Sequence, residues 1–209
     1  MDEIVAKRNE IFAAQVIKGL AGRNMTGYYA ADKEEALKTA LSLIEEGNSV
    51  AMGGCRSAHQ IGLVDALKNG NYEYIDRDAA PVKREAELKA YDADVFLASP
   101  NAMTKDGELV FIDGNSNRVS AIAYGPRKVI LIASMDKICS DLDSAMKRAR
   151  NVAAPENALR LQTGAPCNKI GSCADCRVPQ TICCQFLVTR YSRHEGRIHV
   201  ILVNEPLGF

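Results

Sequence analysis

Two short runs of uninterrupted apolar residues constrain the fold of this chain more than any other feature. The runs are Val-Phe-Leu-Ala at 95–98 and Val-Ile-Leu-Ile-Ala at 129–133. A strand with one face in water alternates polar and apolar residues, whereas a strand covered by helices on both faces is apolar throughout, and sheets of the second kind are mostly parallel. The two runs therefore predict inner strands of a mostly parallel sheet that is flanked by helices.

Helical and strand-like segments alternate along the rest of the chain. Apolar residues at helical spacing predict a helix at the N-terminus, and capping residues place a second helix between Asp32 and Gly47. Further helices are predicted at 57–68, 82–90 and 141–150, and further strands at 72–75, 109–112, 186–189 and 197–203. The pattern indicates a single α/β domain with four parts, namely an N-terminal helical part (1–48), an α/β core (49–160), a cysteine-rich loop (161–185) and closing strands (186–209).

Charge and hydropathy exclude several classes of partner. The chain has 26 Lys and Arg and 26 Asp and Glu, so its formal net charge is zero and neither nucleic acid nor membrane is expected as a partner. It opens with the acidic Met1-Asp2-Glu3 and has no apolar run long enough to cross a bilayer, so neither a secretory signal nor a span is expected. We therefore expect a cytoplasmic protein whose seven cysteines are kept reduced.

Five of the seven cysteines fall within eighteen residues, in the pattern C-x5-C-x2-C-x6-C-C. A C-x2-C pair can direct two sulfurs at one ion, and two further thiolates complete a tetrahedral zinc site or an iron–sulfur cluster. We expect Cys167, Cys173, Cys176 and Cys183 to converge, with Cys184 turned away, because only one of two adjacent cysteines is expected to face the same centre. The alternative is that these residues are small buried hydrophobic side chains, or thiols that pair opportunistically.

A glycine turn and two polar loops indicate a ligand site. A strand-like segment runs into Gly53 and Gly54, where backbone N–H groups and the start of a helix would favour a phosphate or a carboxylate, although a sharp turn alone would also need glycine. The polar loops follow two other predicted strands, and open α/β sheets bind ligands at the edge where parallel strands end. The residues expected to meet around one cleft for a small anionic metabolite are Gly53, Gly54, Ser57, Asn101, Thr104, Asn115, Asn117 and Arg118.

Acid–base catalysis over this cleft would need a carboxylate or a lysine. The candidates are Asp106, Glu108, Asp113 and Lys137. No Ser/His/Asp order, Walker loop or metalloprotease motif is present, so the sequence assigns no catalytic residue.

Several of these stretches, taken in order along the chain, resemble the LUD (lactate utilisation) domain family. They are the glycine turn at 53–57, the strand at 94–99, the loop at 101–107, Asn117-Arg118 with Gly125-Pro126, Ala-Ala-Pro-Glu-Asn at 153–157, the cysteine segment at 166–183 and Leu-Gly-Phe at 207–209. The likeness covers residues 50–209, although Cys55 and Ser57 stand where the family usually has serine and threonine. The resemblance implies a Rossmann-like sheet similar to that of the sugar-phosphate isomerase and CoA-transferase superfamily.

The resemblance also implies a role near the oxidation of lactate to pyruvate, and three functions are open at this point. The first is an accessory or ligand-binding subunit in that oxidation of a 2-hydroxy acid, acting with iron–sulfur protein subunits. The second is a stand-alone enzyme for a phosphorylated or carboxylated metabolite, and the third is a non-catalytic sensor or scaffold stabilised by zinc. Any of the three is compatible with a homo-oligomer.

Overall fold

A computed structural model describes residues 3–209 of the chain, and Met1 and Asp2 of the acidic N-terminus lie outside the described residues. The strands are β1 Thr26–Ala30, β2 Ser49–Met52, β3 Glu73–Ile75, β4 Val95–Ala98, β5 Ala102–Thr104, β6 Leu109–Asp113, β7 Lys128–Ser134, β8 Ile138–Cys139, β9 Gln185–Thr189 and β10 Ile198–Val203. The helices are α1 Glu3–Ala21, α2 Lys33–Ser42, α3 Arg56–Gln60, α4 Leu63–Asn69, α5 Lys83–Lys89, α6 Asn117–Ala123, α7 Leu142–Arg148, α8 Ala154–Leu161 and α9 Cys167–Ile170. A 3-10 turn, Met135–Lys137, follows β7, and a π-helical segment, Ala149–Ala153, joins α7 to α8.

Six of the strands form a wholly parallel sheet in the order β1-β10-β7-β4-β2-β3. The two apolar runs that predicted inner strands are β4 and β7, and each has a strand on both sides. All four residues of β4 are buried, as are six of the seven residues of β7. The predicted α/β class and the mostly parallel sheet are therefore confirmed.

Helices cover both faces of this sheet. On one face α1 and α6 pack against strand side chains such as Phe96 and Leu131, and on the other α2, α3 and α4 pack against Leu97 and Ile130. Full burial of an apolar side chain of this size stabilises the fold by about 1.5–3 kcal/mol, so the two layers of contacts fix the sheet between the helices. None of the helices within residues 3–209 is long and apolar enough to cross a membrane.

A second, four-stranded sheet has the order β8-β5-β6-β9, and its β6 strand pairs antiparallel with β5 and with β9. The prediction that residues 109–112 belong to the parallel sheet is therefore wrong. Leu109 and Phe111 join the core beneath α1, whereas Val110 and Ile112 join a separate cluster that includes Ala145 of α7. An unbroken apolar run indicates burial on both faces, and a strand of this smaller sheet meets that condition equally well.

Two further predictions are corrected by the structure. The N-terminal part (1–48) is not wholly helical, because it contains the edge strand β1, in which only Ala30 is fully buried. The helix predicted at 57–68 is two helices, since the chain turns at Gly62 with a φ of 78°. The strand predicted at 197–203 is present as β10, which lies between β1 and β7 with all six of its residues buried.

Candidate functional site

The candidate site is a cleft at the carboxyl ends of β2, β4 and β7, and it consists of three adjoining pockets. The pockets share lining residues, Gly54 and Arg160 among them, so they open into one another. Thr104 does not reach the cleft, because it is buried within β5 and its hydroxyl pairs with Glu108. The other seven residues predicted to bind the ligand line the cleft: Gly53, Gly54, Ser57, Asn101, Asn115, Asn117 and Arg118.

Lys137 supplies the buried positive charge of the cleft. It comes from the 3-10 turn after β7, its side chain is 1% exposed, and Nζ donates to Ser99 Oγ at 2.8 Å and to the Pro100 carbonyl at 3.3 Å. No ion pair within residues 3–209 includes Lys137. Burial lowers the pKa of this amine to about 8. An ammonium has three donors, so one remains for a ligand.

Ser57 and Gly208 lie beside this ammonium, and the three residues bound a small cavity that we call the inner pocket. Ser57 is fully buried and its Oγ has no hydrogen-bond partner within the described part of the chain. A Cβ on Gly208 would lie 2.8 Å from Ser57 Oγ and 3.1 Å from Lys137 Nζ, so only glycine leaves space between the two groups. The inner pocket has a volume of about 50 Å³. That is enough for several waters or a carboxylate.

Arg118, predicted to bind the ligand, mainly binds the protein. Its guanidinium donates to the Ser99 carbonyl and to Asn101 Oδ1, both at 3.1 Å, and also to the Ile112 carbonyl. These bonds tie the loop after β4 to the end of β6 and to the start of α6. A Cβ on Gly53 would lie 2.6 Å from Arg118 Cγ, so the first glycine of the turn makes room for this arginine.

Lys137 is the one candidate base that faces the inner pocket. Asp113 Oδ2 accepts from the backbone N–H groups of Arg118 and Val119, each at 3.0 Å, so this carboxylate caps α6. The backbone of Asp106 contacts α1 instead of the cleft. Glu108 pairs with Thr104 and with an arginine that follows α1.

A wider cavity of about 440 Å³ continues outward from the inner pocket, and we call it the outer pocket. Of the residues predicted to bind the ligand, Gly54 alone lines it. Arg56 could have been found, because it directly follows the glycine turn, but Arg77, Lys83 and Arg160 come from β3–α5 and from α8 and meet only in the fold. Residues that line the outer pocket include Arg56, His59, Arg77, Lys83 and Arg160.

The cysteine segment surrounds a separate cavity of about 290 Å³, the cysteine cavity. Cys167, Cys173, Cys176 and Cys183 all line it, whereas Cys184 is exposed and lies outside it. Arg150, from the π-helical segment, donates to Cys173 Sγ at 3.6 Å. Burial raises the pKa of Cys183 to about 11, so this thiol needs a nearby cation to ionise at neutral pH.

The four cysteine side chains line one cavity. No three His, Cys, Asp or Glu side chains among residues 3–209 are arranged so that they could hold a single metal ion. The cysteine cavity is also close to the cleft, since Ile182 lines both. Helix α8 contributes Ala154 and Pro155 to the cysteine cavity and Asn157 and Arg160 to the cleft.

The chain resembles known proteins over most of its length. A sequence profile of the LUD domain matches residues 13–203. The solved structure of a DUF162 family protein from Deinococcus radiodurans is 12% identical, with a TM-score of 0.51 over 93% of this chain and 98% of that one, and this likeness concerns the fold alone. A D-ribose-5-phosphate isomerase in complex with phospho-erythronic acid (18% identity, 53% and 54% coverage, TM-score 0.39) and ribose 5-phosphate isomerase A from Neisseria gonorrhoeae (14%, 63% and 65%, 0.36) match only in part. No curated protein sequence matches the chain significantly.

Proposed function

The chain belongs to the LUD domain family, which is linked to lactate utilisation, and from this premise we propose that it binds a small 2-hydroxy or 2-oxo acid as an accessory subunit in the oxidation of lactate to pyruvate. The inner pocket would hold the carboxylate of that acid. The Lys137 ammonium and the Ser57 hydroxyl would donate to its oxygens.

The observation that carries this proposal is a buried charge without a counterion beside a buried hydroxyl without a partner. A buried ammonium is costly unless an opposite charge lies beside it, and an unpaired buried hydroxyl adds to the cost. Lys137 has neutral partners only, and Ser57 Oγ has none. A carboxylate would satisfy both groups at once, because its two oxygens accept several hydrogen bonds.

Isothermal titration with pyruvate and L-lactate tests the proposal. Lys137→Met should weaken binding roughly 10- to 100-fold, which is the value of a hydrogen bond to a charged group. Lys38→Met, an exposed position on α2, is the matched control and should bind as the wild type does. The proposal fails if the wild type binds neither acid, or if Lys137→Met binds them as tightly as Lys38→Met.

A second function is favoured by the cysteine cavity, for which we propose an iron–sulfur cluster. Four thiols are the donor set of such a cluster. A cavity of about 290 Å³ lined by these four side chains leaves room for a polynuclear cluster. Cys167, Cys173, Cys176 and Cys183 would hold the cluster. When bound it would supply one-electron transfer, for which partner subunits with iron–sulfur clusters are the expected electron donors or acceptors.

Iron and sulfide content and visible absorbance of protein prepared without oxygen test this second function. Cys176→Ser should lose most of the iron and the absorbance. Cys184→Ser is the matched control, since Cys184 is exposed outside the cavity, and it should keep both. A colourless protein with stoichiometric zinc would instead support the scaffold function, and equal iron loss in the two variants would rule out the proposed ligand set.

A further inference from the structure

We propose that the outer pocket is a second anion subsite that binds a phosphoryl group. The ligand of the cleft would then be a phosphomonoester of a small hydroxy or oxo acid, with its carboxylate in the inner pocket and its phosphoryl group in the outer pocket. This inference rests on the proposed function for the inner end of the ligand. Lactate and pyruvate would bind the inner pocket as fragments of the complete ligand.

Two arginines of the outer pocket have no acidic partner. The Arg56 guanidinium lies over the Phe209 ring, 5.0 Å from its centre, and Arg160 donates to the neutral Asn157 Oδ1 at 3.0 and 2.8 Å. Among the ion pairs that residues 3–209 form, none includes Arg56 or Arg160.

The remaining cations of the outer pocket are already neutralised. Arg77 lies 3.3 Å from Glu87, and Lys83 lies 2.9 Å from Asp78. Two positive charges are therefore left over, those of Arg56 and Arg160. They lie close enough for repulsion to matter, because burial and then the charges of Arg56 and Arg77 lower the pKa of Arg160.

A phosphomonoester fits this excess charge better than a second carboxylate. It carries about −1.5 to −2 charges at pH 7, and a guanidinium binds phosphate oxygens in pairs. The volumes of the two pockets and the residues that they share agree with this choice. The outer pocket has about 440 Å³ against about 50 Å³ for the inner pocket. Gly54, Arg56 and Arg160 line both, so one ligand can extend from the first into the second.

Titration with inorganic phosphate, alone and in the presence of saturating pyruvate, tests the second subsite. Phosphate should bind the wild type, and pyruvate should not displace it, because the two probes occupy different pockets. The double variant Arg56→Gln/Arg160→Gln should bind phosphate roughly tenfold or more weakly, since two charged contacts are lost. Its affinity for pyruvate should fall less than that of Lys137→Met, because the buried ammonium and hydroxyl of the inner pocket remain. Arg193→Gln, at an exposed arginine on a loop outside the cleft, is the matched control and should not change either affinity.

The possible failures point to different subsites. Phosphate affinity that is the same in the double variant and in Arg193→Gln would overturn the outer subsite, as would direct competition between phosphate and pyruvate. Phosphate binding that survives while pyruvate does not bind would contradict the inner pocket and leave the outer subsite supported. Circular dichroism of each variant confirms that the losses do not come from unfolding.

Discussion

Lys137 and Arg118 are both largely buried cations of the cleft, but their surroundings give them different roles. Arg118 donates to two backbone carbonyls and an amide oxygen, so most of its capacity is used in joining two loops. Lys137 has two neutral partners and a donor left over. A sequence shows that both residues follow predicted strands, but only the fold shows which one keeps a donor free.

The affinity for pyruvate should depend on pH through Lys137. Because burial lowers the pKa of this amine to about 8, it is protonated at pH 7 and loses its charge as the pH rises through that value. An anion binds the protonated form, so affinity should be constant below about pH 8 and should fall by up to about tenfold per pH unit above it. Titrations from pH 6.5 to 9.5 measure this, and a flat profile that matches that of Lys137→Met would contradict the assignment.

The same amine should make stability rise with pH when no ligand is present. The pKa of Lys137 is about 8 in the fold against an ordinary value of 10.5, so the unfolded chain binds more protons between these values. The free energy of unfolding should therefore increase over that window, by up to about 3 kcal/mol, relative to Lys137→Met. Urea unfolding of both proteins at pH 7.5 and pH 10 measures the difference. An equal pH dependence in the two proteins would show that Lys137 is not buried as described.

At the level of elements, one continuous helical unit connects the two candidate sites. The π-helical segment Ala149–Ala153 joins α7 to α8, and π-helical turns are frequent at functional sites. Arg150 in this segment reaches the cysteine cavity, while Arg160 near the end of α8 reaches the outer pocket. One continuous helical element therefore lines both candidate sites.

The α6 helix provides a test of the role of Asp113. Since Asp113 accepts two backbone N–H groups at the start of α6, Asp113→Ala should cost about 1–2 kcal/mol of stability. Asp113→Asn should cost less, because asparagine can keep the cap, although it removes the charge that pairs with Arg118 Nε at 3.9 Å. Thermal unfolding of the pair measures this. A stable Asp113→Asn variant that has lost a catalytic activity of the wild type would restore Asp113 as a base.

At the scale of the whole molecule, β10 is the strand that joins the N-terminal part to the core. It lies between β1 and β7, and Ile201 is fully buried in it. Ile201→Ala should cost about 2–5 kcal/mol, as large-to-small changes in a core do. Ile170→Ala, at a position that is 61% exposed, is the control and should change stability by less than about 0.5 kcal/mol. Similar urea midpoints for the two variants would contradict the central position of β10.

The sequence predicts the main sheet because buried strands appear as apolar runs. It predicts most of the cleft because the strand ends are marked by glycines and polar residues. The runs at 95–98 and 129–133 are apolar because both faces are covered, and the glycine turn after β2 marks the edge. Residues 109–112 are equally apolar but belong to the second sheet. An apolar run indicates that a strand is buried, and it does not indicate which strands lie beside it. The role of Arg160 could not be predicted, because it is distant from Arg56 in the sequence and α8 brings the two together only in the fold.

The central claim is that a carboxylate lies between Lys137 and Ser57, and a crystal structure of the protein with saturating pyruvate tests it most directly. The carboxylate oxygens should lie within about 3 Å of Lys137 Nζ and of Ser57 Oγ, the distance of a hydrogen bond. Pyruvate bound away from both groups, or an inner pocket that holds only water at saturating pyruvate, would contradict the claim.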